Sequence, residues 1–161
     1  MPMRHALLAL LLIAPGCGSG ADPVDVHAQL TAAGEARLAG DWTAAGAAWD
    51  AILSDLQRAD DPVIWLTATR GSIQAQAATD GPGALARTEA LLLELGAEDA
   101  VDVDLFGGLA SDLKTAGALP EATEVVRRAR EAFPDDVGLR NMADRYAALS
   151  GDAEPGAEEA E

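Results

Sequence analysis

Residues 117–134 read Gly-Ala-Leu-Pro-Glu-Ala-Thr-Glu-Val-Val-Arg-Arg-Ala-Arg-Glu-Ala-Phe-Pro and leave the chain little choice of fold. Ala122, Val126, Ala129 and Phe133 recur at three- and four-residue spacing, which places them on one face of a helix. Ala122 and Ala129 are small enough for a neighbouring helix to approach closely, and Val126 fills the gap between them. Gly117 ends the preceding turn, and Pro134 cannot continue the helix. A helix with one narrow apolar stripe must bury it against other helices. Alanine is abundant and aromatic residues make up only 4% of the chain, which suits thin, closely packed helices better than a β-sandwich.

The same pattern returns along the sequence. Leu105, Phe106, Leu109, Ala110 and Leu113 mark the first helix of the hairpin that residues 119–133 complete, giving a unit over about 103–136. A unit over about 26–59 has Ala33 in its first helix and Gly40-Asp41-Trp42 opening its second, followed by Ala45, Trp49 and Ile52. A middle unit, about 65–98, is degenerate: Ser72 takes the small position, Pro82 and Ala84 align with Pro120 and Ala122, and Thr88 and Leu91 align with Val126 and Ala129. Acidic inserts at 60–63 and 99–102 separate the units. Val137, Leu139, Met142, Ala143, Tyr146 and Leu149 then form one further amphipathic helix, 137–149, capped by Asp136 and ended by Gly151. Seven helices are predicted near 24–39, 42–58, 63–78, 82–95, 103–116, 119–132 and 137–149. No segment alternates with a strand period, and heptads are absent.

Phe106, Leu109, Ala110, Leu113, Gly117, Leu119, Ala122, Val126, Ala129 and Pro134 resemble the residue types of a tetratricopeptide (TPR) repeat at its usual spacing. The Gly40-Asp41-Trp42 turn with Ala45 is similar to the same motif. The resemblance implies an all-α, TPR-like helical-hairpin solenoid of about three repeats over 24–150, closed by the capping helix 137–149. It also implies protein–protein interaction through a groove lined by the first helix of each unit. That groove would present His27, Leu30 and Arg37, then Leu66, Thr69, Ile73 and Gln76, then Asp104, Gly107, Ser111 and Lys114, then Asn141 and Arg145. The groove residues chosen for a partner are Arg37, Ile73, Gln76, Ser111, Lys114, Asn141 and Arg145. The Lys/Asn constellation with which some members grip a C-terminal carboxylate is not reproduced. Second helices, with Arg127 and Arg128, would form the opposite face.

The two ends have other purposes. Arg4 followed by the nine apolar residues from Ala6 to Ala14 matches a secretory signal peptide over 1–16 and is too short to span a membrane. Gly16-Cys17 looks like the site of a bacterial lipoprotein, with Cys17 lipidated at the head of a tether, 17–23. Cleavage after Ala21, at Ser19-Gly20-Ala21, is the alternative and would give an unlipidated periplasmic or secreted adaptor. Gly18 in place of an Asp leans toward the outer membrane over the inner one. A single cysteine excludes an internal disulfide. Residues 151–161 carry five carboxylates and no apolar period, as expected of a disordered acidic tail.

Charge and residue types narrow the function. A net charge of −16 repels nucleic acid and anionic lipid, so any membrane attachment has to come from the N-terminal lipid. Beyond the signal the only histidine is His27, which leaves no nucleophile–base pair to assemble and no multi-histidine zinc site. Asp99, Asp102 and Asp104 lack the glycine turn and terminal glutamate of an EF-hand loop and are read as an acidic linker and helix start. Arg127, Arg128 and Arg130 are expected to offset Glu124, Glu131, Asp135 and Asp136. Neither a catalytic site, a cofactor nor a metal is therefore expected. The partner expected is a protein or peptide. The rival from another class is a binding protein for a small ligand or divalent cation.

Overall fold

The computed structural model describes residues 23–151, and their side chains from Val26 onward. Residues 1–22, with the expected signal peptide and Cys17, and the expected acidic tail after Gly151 lie outside the described residues. Seven helices follow one another: α1 (Pro23–Leu38), α2 (Trp42–Asp55), α3 (Pro62–Ala77), α4 (Gly81–Gly96), α5 (Val103–Thr115), α6 (Leu119–Ala132) and α7 (Val137–Ser150). No strand occurs among the described residues. None of these helices is long and apolar enough to cross a membrane.

Aspartate starts five of them. Asp41, Asp61, Asp80, Asp102 and Asp136 accept hydrogen bonds from the free amides of Ala44, Val63 and Ile64, Gly83, Leu105, and Leu139, at 2.8–3.0 Å. These amides have no partner inside the helix, and a carboxylate also suits the positive end of the helix dipole. The Gly83 amide, helped by the Gln76 side chain, holds the Asp80 carboxyl below its usual range. The start of α6 differs: Ala118 offers no side-chain cap, and Pro120 sits in the first turn, where its missing N–H is not needed. Gly40 (φ +75°) and Gly117 (φ +94°) occupy equivalent places in the tight turns of the first and third hairpins, where a side chain is disfavoured.

One boundary differs from the sequence expectation by more than a residue. Helix α2 stops at Asp55, not 58, because Leu56 turns extended (φ −113°, ψ 119°) and the Asp60 carboxylate accepts from the Gln57 amide at 3.0 Å. The chain uses this turn to reach the Asp61 cap of α3.

The helices pack in chain order as hairpins, α1 with α2, α3 with α4, α5 with α6, and α7 closes against α6. Helix α2 also packs broadly on α3, α3 on α5, and α4 on α6. Two apolar clusters result. The smaller joins Ala33, Ala45, Trp49, Ile52 and Ala68. The larger runs from Ile73 on α3 to Tyr146 on α7 and includes Leu109, Leu113, Val125 and Val126. Helix α3 is the wall between them. Ala122 and Ala129 are 0% exposed, as their close-packing role requires. Ala122→Leu is therefore expected to cost about 1–3 kcal/mol through overpacking. A denaturation midpoint equal to wild type would show that α6 does not pack through this face.

Two of the three arginines of α6 are tied up in ion pairs, while neither Arg130 nor the expected partners Asp135 and Asp136 make one among the described residues. Arg127 binds Glu124 at 2.7 Å and also Glu131, while Arg128 joins Glu124 at 2.8 Å and Glu89 of α4 at 2.7 Å. The hydrogen bonds from Arg127 and Arg128 hold the Glu124 carboxyl down to about 2. These exposed pairs add little stability each.

Candidate functional site

Helices α1, α3, α5 and α7 are the first helices of their hairpins, and they are unevenly spaced. Helices α3 and α5 pack directly on one another, whereas α1 against α3 and α5 against α7 make at most marginal backbone approach. Two open grooves fill the wider gaps.

The first groove, about 290 Å³, lies between α1 and α3. Gly34 and Arg37 line it from α1, Thr67, Arg70, Gly71 and Gln74 from α3, and Asp112 from α5, with the Trp49 indole as its floor. Trp49 reaches this position because α3 has no side chain at Gly71: a Cβ there would lie 2.3 Å from the ring. The charges converge from three hairpins. Arg70 Nε donates to Asp112 Oδ2 at 2.8 Å, and its Nη2 stands 2.7 Å from the same oxygen. Burial pushes the Asp112 carboxyl above its usual range, opposed by the charge and hydrogen bond of Arg70 and by the charge of Arg37. Gln74 is only 3% exposed, and its Nε2 donates to the Asp112 carbonyl at 3.4 Å. Arg37 itself is exposed and has no carboxylate within 4.0 Å among the described residues.

The second groove, about 470 Å³, lies between α5 and α7. Ser111, Lys114, Met142, Arg145, Tyr146 and Leu149 are among its lining residues. Lys114 Nζ rests over the Tyr146 ring, 5.7 Å from its centroid, and Arg145 Nε donates to the Asn141 carbonyl at 3.2 Å. Burial pushes the Tyr146 hydroxyl above its usual range.

Of the residues selected from sequence, Arg37 lines the first groove and Ser111, Lys114 and Arg145 line the second. Asn141 is exposed beside Arg145. His27 and Asp104 are exposed, and a Cβ at Gly107 would stand 3.7 Å from Met142 Cε of α7. Ile73 and Gln76 do not belong. Ile73 is 0% exposed and sits in the larger core. Gln76 faces a different hollow, of about 440 Å³, where Arg87 donates to its Oε1 at 3.2 Å and its own Nε2 donates to Asp80 at 3.1 Å. The Thr69 hydroxyl is likewise buried. On α3 it is Thr67, Arg70, Gly71 and Gln74 that line the groove instead. The physical cause is twofold. An isoleucine gains more from burial than from facing water, and the bare backbone at Gly71 draws α3 onto Trp49. Arg70, Gln74 and Asp112 were missed from sequence. Their only local signal is the three- and four-residue spacing Thr67, Arg70, Gln74, which marks a polar face without naming its neighbour.

Asp102 of the 99–104 acidic segment is used as the cap of α5. Among the described residues, no three His, Cys, Asp or Glu side chains converge as a metal site would require. No protein-family model matches the chain, and no curated protein or solved structure shows significant similarity to it.

Proposed function

We propose that the chain is a non-catalytic, TPR-like interaction module that holds a protein or peptide segment along the layer formed by α1, α3, α5 and α7. The observation that carries this reading is the pair of open grooves in that layer. Both are lined by cationic and aromatic side chains, with the Gln74 amide in the first and the Ser111 hydroxyl in the second. Such clefts suit an extended partner: apolar floors contribute area, and a few polar groups fix its register. The repeat-like order of helical hairpins and the residue pattern of 105–134 support the TPR assignment. Export and attachment through a lipidated Cys17, at the periplasmic face of the outer membrane, complete the proposal. They rest on the apolar run Ala6–Ala14 followed by Gly16-Cys17.

Two measurements test it. Arg37→Glu with Lys114→Glu should reduce capture of envelope partners by about tenfold or more, since reversed charges at a docking face act on affinity directly. Stability should move by less than about 0.5 kcal/mol per site, as both side chains are exposed. A charge-matched Arg130→Glu with Arg140→Glu control, away from both grooves, should capture normally. Loss of capture in the control alone would move the binding face elsewhere. For the anchor, Cys17→Ser should abolish detergent partitioning, and a wild-type mature chain that begins at Asp22 would show that Cys17 is discarded.

A further inference from the structure

The groove between α5 and α7 combines two cations with an apolar wall. Neither Lys114 nor Arg145 has a carboxylate within 4.0 Å among the described residues. Beside them Met142 is half-buried and Leu149 is 58% exposed. Such a surface suits a segment that mixes carboxylates with small apolar groups. The chain carries one: Asp152-Ala153-Glu154-Pro155-Gly156-Ala157-Glu158-Glu159-Ala160-Glu161.

Position favours this segment. The groove lies on the last helix, and Leu149 and Arg145 stand two and six residues before Gly151. Gly151 ends α7 in the left-handed conformation (φ +75°), which turns the chain away from the helix axis. Lying back over Arg145 requires about 9 Å at 1.5 Å per helical residue, and ten residues can span about 33 Å. Tethering also makes the encounter intramolecular, with an effective concentration in the millimolar range. Charge favours the groove over other surfaces. Residues 26–151 carry twenty Asp and Glu against ten Lys and Arg. Four of those ten already hold carboxylates in ion pairs. Five further carboxylates are repelled by most of this surface, and the field of the unpaired groove cations acts within about 8 Å at physiological salt.

We propose that residues 152–161 dock on the α5–α7 groove of their own chain, seating carboxylates at Lys114 and Arg145, and occupy it until a partner displaces them. Only the displacement, and not the docking, rests on the inner layer being the partner's site.

Lys114 is the only lysine in the chain, which makes the test direct. Zero-length carbodiimide coupling of the full mature chain, followed by peptide mass mapping of the monomer, should join Lys114 to a carboxylate within 152–161. The product should fall at least fivefold in 1 M NaCl. Removing residues 152–161 should raise the acylation rate of Lys114 about threefold or more, and adding the 152–161 peptide in trans should restore protection in a saturable way. Lys114 coupled only to carboxylates of the helical body, or only to a second copy in a dimer band, would overturn the proposal. So would an acylation rate unchanged by the truncation. The coupling uses no partner, so a failure of partner capture leaves its result intact, and capture without the cross-link refutes the docking alone.

Discussion

Gly71→Ala is expected to destabilise the protein by about 1–3 kcal/mol, although alanine is the better helix former. The added Cβ would stand 2.3, 2.5 and 2.6 Å from Trp49 Cε2, Nε1 and Cδ2. These are ring atoms of a buried aromatic side chain, with none of the freedom of a long side-chain terminus. Either the indole leaves its site or α3 moves away from α2. The intrinsic gain of alanine over glycine, about 1 kcal/mol, is outweighed by either outcome. A double-mutant cycle with Trp49→Ala checks the cause: in that background Gly71→Ala should be neutral or stabilising, a coupling of more than about 1 kcal/mol. Equal costs in both backgrounds would mean that Trp49 is not what the methyl group meets. Because Trp49 is also the floor of the α1–α3 groove, Gly71→Ala should weaken partner binding beyond the change in folded population.

Leu109→Ala is expected to cost about 2–5 kcal/mol, the larger effect of the two. Leu109 is 0% exposed in the middle of the larger cluster, where α5 meets α3 and α6. Its removal forfeits the transfer of the isobutyl group and leaves a cavity that helices held on several sides cannot close. At about 4 °C per kcal/mol for a domain of this size, the melting temperature should drop by about 8 °C or more. Urea denaturation gives the same quantity through the midpoint, provided the slope is unchanged. A cost under about 1 kcal/mol would show that the larger cluster relaxes around the missing group, and with it that the α3–α5 contact is soft.

That contact matters for the grooves. Helices α3 and α5 are pinned together, with the Arg70 guanidinium lying over Gly108, where a Cβ would come within 2.7 Å of its Nη2. The gaps on either side therefore become the two clefts. Arg37, Arg70 and Asp112, one from each hairpin, meet only because this spacing holds. An interaction surface of this kind is a property of the stack, since no single hairpin contains it.

The sequence by itself determined the elements. Aspartate caps, turn glycines at 40 and 117, prolines near helix starts, and apolar residues at three- and four-residue spacing are local devices. They act within one or two helical turns, and they place all seven helices to within a few residues. They also mark Ala122 and Ala129 as buried, because a small residue in an apolar stripe has little use except close packing. What no stretch of α3 decides alone is which of its residues face the groove and which enter the core. A change of one residue in helical phase turns a side chain by about 100°, enough to exchange core for groove. In α1 and α5 the residues aligned with Ile73 are Gly34 and Ser111, and both line grooves. In α3 that place is taken by a large apolar side chain that burial draws inward. The groove face passes instead to Arg70 and Gln74, whose partner Asp112 lies 42 and 38 residues further along the chain. No periodicity within α3 encodes that neighbour. That neighbour is met through the bare backbone at Gly71 against Trp49 and an ion pair across two hairpins, contacts that exist only once the helices are stacked.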